Sequence, residues 1–148
     1  MIPRYRVAYK NKILGEVGAI DFIDETVEIP VYDSETGEYL VSYELGLNQV
    51  ILMQSTGLFD KNGKEVFEGD VVTFLDDDNN PIYENAVVKF GQHTNKDTIF
   101  EREPVYIGVY VEVQKGTATF DVERMYNDYE GRFTIIGNIY ENPELMEG

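Results

Sequence analysis

Cysteine is absent from the 148 residues, which excludes disulfides, thiolate nucleophiles and zinc sites of the Cys-rich kind. Tryptophan is absent as well, and the single histidine, His93, is too little for a His-based transition-metal site. No stretch approaches the roughly 18 apolar residues of a membrane-spanning helix, and the opening MIPRYRVAYKNK lacks the apolar run of a secretion signal. These absences lead us to expect a soluble, cytoplasmic protein with no membrane partner.

Positive charge is scarce. Twelve Lys and Arg stand against 28 Asp and Glu, a formal net charge of −16. No Lys or Arg occurs from Ile13 to Asp60, while Glu16, Asp21, Asp24, Glu25, Glu28, Asp33, Glu35, Glu38, Glu44 and Asp60 all do. Such a segment repels phosphate backbones, so direct nucleic-acid binding is not expected. The charge keeps the chain soluble; it would also suit a basic partner, including one deceived by an imitation of DNA.

Catalytic signatures are missing too. An EF-hand reading from Asp76 places Pro81 where glycine is required and Val87 where the bidentate Glu belongs. A loop from Asp60 brings its glycine too early, at Gly63. Neither a GxSxG elbow, a P-loop nor a dinucleotide GxGxxG is present. Pairs of carboxylates are inevitable among 28 acids and select no particular residues. The sequence therefore names no catalytic residue, no metal ligand and no cofactor, and an enzyme built on Asp and Glu with a metal ranks last among the readings.

What is abundant is aromatic and β-forming: eleven Tyr and eight Phe, spread among short alternating runs. Strands are expected over Tyr5–Tyr9, Val17–Ile23, Thr26–Tyr32, Glu38–Tyr43, Val50–Gln54, Val71–Leu75, Asn85–Phe90, Tyr106–Val113 and Arg132–Ile139. In TVEIPVY, Val27, Ile29 and Val31 share one face, and Pro30 suggests an edge or a bulge. Turns are expected at Lys10–Lys12, Asp24–Glu25, Asp33–Gly37, Gly57, Asp60–Lys64, Glu68–Asp70 and Asp76–Pro81, with Asn62-Gly63 the strongest hairpin signal. His93 falls in a loop from Gly91 to Asp97. A short helical turn is expected at Glu44–Gln49, a short helix or an irregular segment over Asp121–Tyr129 with Thr119 as its N-cap, and a last helical turn opened by Asn142-Pro143. The sum is a mainly β fold of compact antiparallel sheets with short helices only. It forms one domain over 1–148, and any division into lobes falls near 55–60.

The segment MQSTGLFDKNGKEVFEGDVV, Met53 to Val72, resembles the hallmark of the YopX family of phage and prophage proteins. The opening IPRYR, Ile2 to Arg6, and the closing IIGNIYENPELM, Ile135 to Met146, resemble that family's two ends in the same order. Residues from about Asp76 to Glu130 match loosely. The resemblance implies a β-rich fold, a phage or prophage origin and hence the host cytoplasm, with no activity, cofactor or catalytic residue to carry over. The turn-rich signature also resembles, at the level of fold alone, an SH3-like barrel element over residues 57–91. Its polar members, Gln54, Ser55, Thr56, Asp60, Lys61, Asn62, Lys64, Glu68 and Asp70, form the candidate interaction surface if the segment serves binding rather than folding. The leading expectation is a non-enzymatic protein-binding module with a host or phage protein as partner, able to self-associate into homo-oligomers through strand edges and tyrosines. An acidic DNA-mimic decoy is the alternative.

Overall fold

The computed structural model describes residues 3–93, 106–113, 119–121 and 132–146. The fold is mainly β, with antiparallel sheets that include a curled half-barrel. Among the described residues there is no α-helix, and two 3-10 turns cover Leu47–Gln49 and Pro143–Met146. The chain divides into two compact units, Met1–Ser55 and Thr56–Gly148.

In the first unit, β1 (Tyr5–Tyr9) turns through Lys10 and Asn11, both at positive φ, into β2 (Lys12–Glu16). On its other edge β1 pairs with the start of β6 (Ile51–Phe59), Tyr5 opposite Gln54. A separate three-stranded sheet is ordered β3 (Ala19–Asp21), β4 (Thr26–Tyr32), β5 (Tyr39–Gly46). The period-two alternation of β4 sets its faces. Val27 and Ile29 are buried with Val7, and Ile20, Leu45 and Leu52 pack against them. Pro30 costs no ladder bond, because its nitrogen points to the β3 side, where β3 has no residue beyond Ala19 to pair with it. The bulge lies one step later, between Val31 and Tyr32.

Two expectations change here. The strand expected over Val17–Ile23 shrinks to Ala19–Asp21, because the Asp21 carboxylate accepts the amides of Ile23 and Asp24 at 2.9 Å each and starts a turn. Phe22 and Ile23 are thereby expelled, 77% and 93% exposed. β2 has no counterpart among the expected strands.

The second unit is built on a five-stranded sheet ordered β11 (Thr119–Asp121), β10 (Tyr106–Val113), β9 (Pro81–His93), β8 (Asp70–Leu75), β12 (Phe133–Asn138). The end of β6 and the short β7 (Glu65–Phe67) accompany it. Its core is Val66, Val72, Phe74, Ala86, Val88, Val111 and Phe133, each apolar side chain larger than alanine worth about 1.5–3 kcal/mol when fully buried. Phe74 holds Phe133 at 5.9 Å and Tyr83 at 6.4 Å between ring centroids, the latter edge-on. Residues 57–91, the expected barrel element, supply the end of β6, β7, β8 and most of β9.

Several local expectations are corrected. Gly57 lies inside β6 at φ 77 rather than in a turn. β9 runs on through His93, so the expected loop starting at Gly91 does not start there. Gly91 and Gly108 sit opposite each other in β9 and β10 with φ of 145 and 151, without a register shift, so Gly108 marks no bulge. Thr119 is a strand residue opposite Glu112, not a helix cap. The segment expected over 122–129 lies outside the described residues, as do 94–97 of the His93 loop.

Candidate functional site

The signature residues are largely consumed by the backbone. Asp60 is buried and its Oδ1 accepts the amides of Asn62 and Lys64, both at 2.9 Å, while Oδ2 accepts the Ile135 amide at 3.0 Å. The Lys61 amide donates to the Phe133 carbonyl, and the Asn62 side chain to Thr134 Oγ1 at 3.3 Å. The loop is thus pinned to β12. Of the Asn62-Gly63 pair only Gly63 takes the left-handed backbone, at φ 80. Asp70, fully buried, accepts the Phe67 amide at 2.8 Å. Thr56 Oγ1 donates to the Val66 carbonyl at 2.8 Å and accepts from the Leu58 amide. Ser55 is buried, and its amide donates to the Arg4 carbonyl. Gln54 is half-buried opposite Tyr5, and Lys61 and Lys64 are exposed, with Lys61 Nζ reaching Asn79 Oδ1 at 3.3 Å. Asp60, Lys61, Asn62 and Lys64 share one loop, Gln54 and Ser55 belong to the first unit, and Glu68 lines a separate cleft.

Two clefts offer chemistry, one of them at the signature's own Glu68. In the first unit, Asp21, Asp24, Glu28 and Glu44 line an open depression of about 530 Å³ together with Ala19, Ile20, Phe22, Ile23 and Thr26. Glu28 and Glu44 are direct cross-strand partners on the outer face of the three-stranded sheet, both exposed. Like charges so placed destabilise the pair. The amides of Asp24 and then Ile23 hold the Asp21 carboxyl below its ordinary value. Two of the exposed large hydrophobics, Phe22 and Ile23, line this depression, while Val41 and Tyr43 stand opposite Val31 and Ile29 on the other face of the sheet. Reading Phe22 and Ile23 as strand residues hid this feature; the turn-forming Asp21 was the signal that would have revealed it.

The profile of one protein family, described as YopX protein, matches residues 4–147. The chain belongs to the YopX family. No curated protein matches it. Its fold is similar to the crystal structure of protein EF1440 from Enterococcus faecalis, with 23% identity, 99% of each chain covered and a TM-score of 0.50. At that identity the likeness concerns the fold.

The second cleft of this YopX chain, about 200 Å³, is lined by Glu68, Gly69, Val87, Val88, Lys89, Phe90, Ile139 and Tyr140. Gly69 donates to the Val88 carbonyl at 2.8 Å and accepts from Ile139 at 2.9 Å, so the turn before β8 is tied to the middle of β9 and to the residue after β12. Burial raises the Glu68 carboxyl, and burial followed by the Glu68 charge raises the Tyr140 hydroxyl. Lys89 is matched by Glu112 at 2.6 Å. Among the described residues no group of three or more His, Asp or Glu is placed to hold a metal, and no helix is long and apolar enough to cross a membrane.

Proposed function

We propose that this chain is a non-enzymatic binding module of phage or prophage origin that docks a basic, partly apolar segment of a protein partner on the outer face of its three-stranded sheet. The observation that carries the reading is the single depression where four carboxylates meet exposed Phe22 and Ile23. Between Ile13 and Asp60 the sequence has no cation to offset them. A partner that brings Lys or Arg relieves the Glu28–Glu44 repulsion and covers the apolar rim in one step. A second copy of the same face brings acid against acid, so homo-oligomer formation there is disfavoured.

The experiment is an NMR titration of the labelled protein with a peptide of alternating Lys and Leu, and with its Glu-for-Lys counterpart, at low salt and at ~0.5 M salt. Salt-sensitive shifts at Ala19–Glu28 and Glu44, seen with the Lys peptide alone, support the reading. Equal response to both peptides, or no shift at Ala19–Glu28 and Glu44, refutes it. An acidic decoy for a DNA-binding protein is the narrower form of the same idea: duplex DNA would then displace a captured basic partner. An Asp/Glu metal enzyme draws no support from the described residues.

A further inference from the structure

The cleft at Glu68 has chemistry of its own. Its volume of about 200 Å³ falls below the roughly 300–1,000 Å³ of small-molecule and cofactor sites, and suits one side chain. Among the described residues neither a donor nor a cation is paired with the half-buried Glu68 carboxylate. A half-buried charge without a partner is costly, and an entering apolar group would deepen that cost. An anion is repelled by Glu68 and by the net charge of −16. A cation gains the carboxylate and the rings of Phe90 and Tyr140 at the same time, and its methylene stem finds Val87 and Ile139.

We propose that the cleft formed by Glu68, Phe90, Ile139 and Tyr140 is a receptor for a single lysine or arginine side chain. The proposal rests on the reading above for one thing only, that the side chain belongs to the basic partner. The receptor is preformed. Asn138 Oδ1 accepts the amides of Tyr140 at 3.0 Å and Glu141 at 2.9 Å, which sets Tyr140 in place, and the Gly69 amide and carbonyl lock the Glu68 turn to Val88 and Ile139. Little ordering entropy is left for binding to supply. Lys89 does not compete for Glu68, since Glu112 holds it.

The test uses the full chain and capped single residues: Nα-acetyl-lysine N-methylamide, the arginine equivalent and the norleucine equivalent, followed at the Gly69, Val88 and Ile139 amides. Either basic probe is expected to shift those amides, norleucine is not, and Glu68→Gln weakens the response by roughly two- to fivefold, the scale of a partly exposed ion pair. Should Glu68→Gln not fold, acidification of the unaltered chain serves instead: binding is lost as pH falls through the raised Glu68 value, and returns on neutralisation. Norleucine shifts equal to those of lysine, an unaffected Glu68→Gln variant, or silence at these amides with every probe overturns the proposal. Because these amides lie outside the first unit, the outcome is separable from that of the peptide titration.

Discussion

The loop that begins at Asp60 occurs twice, and the repetition allows its roles in local capping and in tertiary attachment to be separated. In Asp60–Lys64 the first amide donates to the fifth carbonyl at 2.8 Å, and in Asp76–Asn80 at 2.9 Å. In both, the aspartate Oδ1 accepts the third and fifth amides at 2.8–2.9 Å, and the fourth residue, Gly63 or Asn79, is left-handed. The loops differ in what lies beyond them, because Asp60 is buried and Oδ2 also takes the Ile135 amide of β12, whereas Asp76 caps a loop whose next four residues are exposed. Asp76→Ala exchanges two near-surface bonds for water, at about 0.5–1.5 kcal/mol each. Asp60→Ala loses the same two and leaves a part-buried amide without its charged acceptor, about 1.5–3 kcal/mol more. The expected losses are therefore about 1–3 against about 2.5–6 kcal/mol, with Asp60→Ala the larger by about 1.5–3 kcal/mol. Urea unfolding followed by far-UV circular dichroism measures both, and hydrogen exchange at Ile135 should accelerate in Asp60→Ala alone. Equal losses in the two variants would refute the reasoning. An undiminished stability of Asp60→Ala with lost partner binding would make the signature a recognition element instead of a folding one.

Other outcomes follow from the same geometry. Glu44→Lys turns a cross-strand repulsion into an attraction and should stabilise the first unit by about 0.2–1 kcal/mol while abolishing the Lys-peptide response; unfolding curves and the peptide titration read the two effects. Gly63→Ala has open space around the added carbon, so its cost is the left-handed backbone alone, about 1–2 kcal/mol, and Gly63→Asn should recover part of it in the same unfolding assay. The Asp21 carboxyl is held low by the Asp24 and Ile23 amides, and Asp33 by those of Thr36 and Glu35. A carboxyl lowered by folding contributes stability above its unfolded value and loses it as pH falls through the folded one. The protection of the Ile23, Asp24, Glu35 and Thr36 amides, taken against the intrinsic exchange rate at each pH, should therefore persist at neutral pH and fall only below the ordinary carboxylate range.

β1, β4 and β10 were legible to the residue from their β-forming composition, and β4 also from its period-two alternation. Such reading failed where a turn former sat inside an apolar run. Asp21 ends β3 early although Phe22 and Ile23 continue the apolar character, and Gly57 stays within β6 because a positive φ is compatible with a strand distortion as well as with a turn. Among the signature's polar residues, Asp60 and Asp70 cap amides within four positions of themselves, but the bond from the Ile135 amide to Asp60 joins residues that the sequence alone does not bring near. The Glu68 cleft was out of reach for the same reason, because Ile139 and Tyr140 stand some 70 positions along the chain from Gly69 and meet it only through the pairing of β8 with β12.

That pairing also sets an order of assembly. Every residue of β8 is buried, with β9 on one edge and β12 on the other. β9 follows β8 after one short loop, so that edge closes early, whereas Phe133, the partner of Phe74, is synthesised only after the long β9–β10 arm. Until then a strand that is apolar but for Asp70 and Thr73 has one edge open to any other chain. Folding of the second unit should accordingly be slow relative to its hairpins and most prone to aggregation in the interval before β12 docks, and a truncation that removes residues 133–138 should yield an insoluble product and not a smaller folded one.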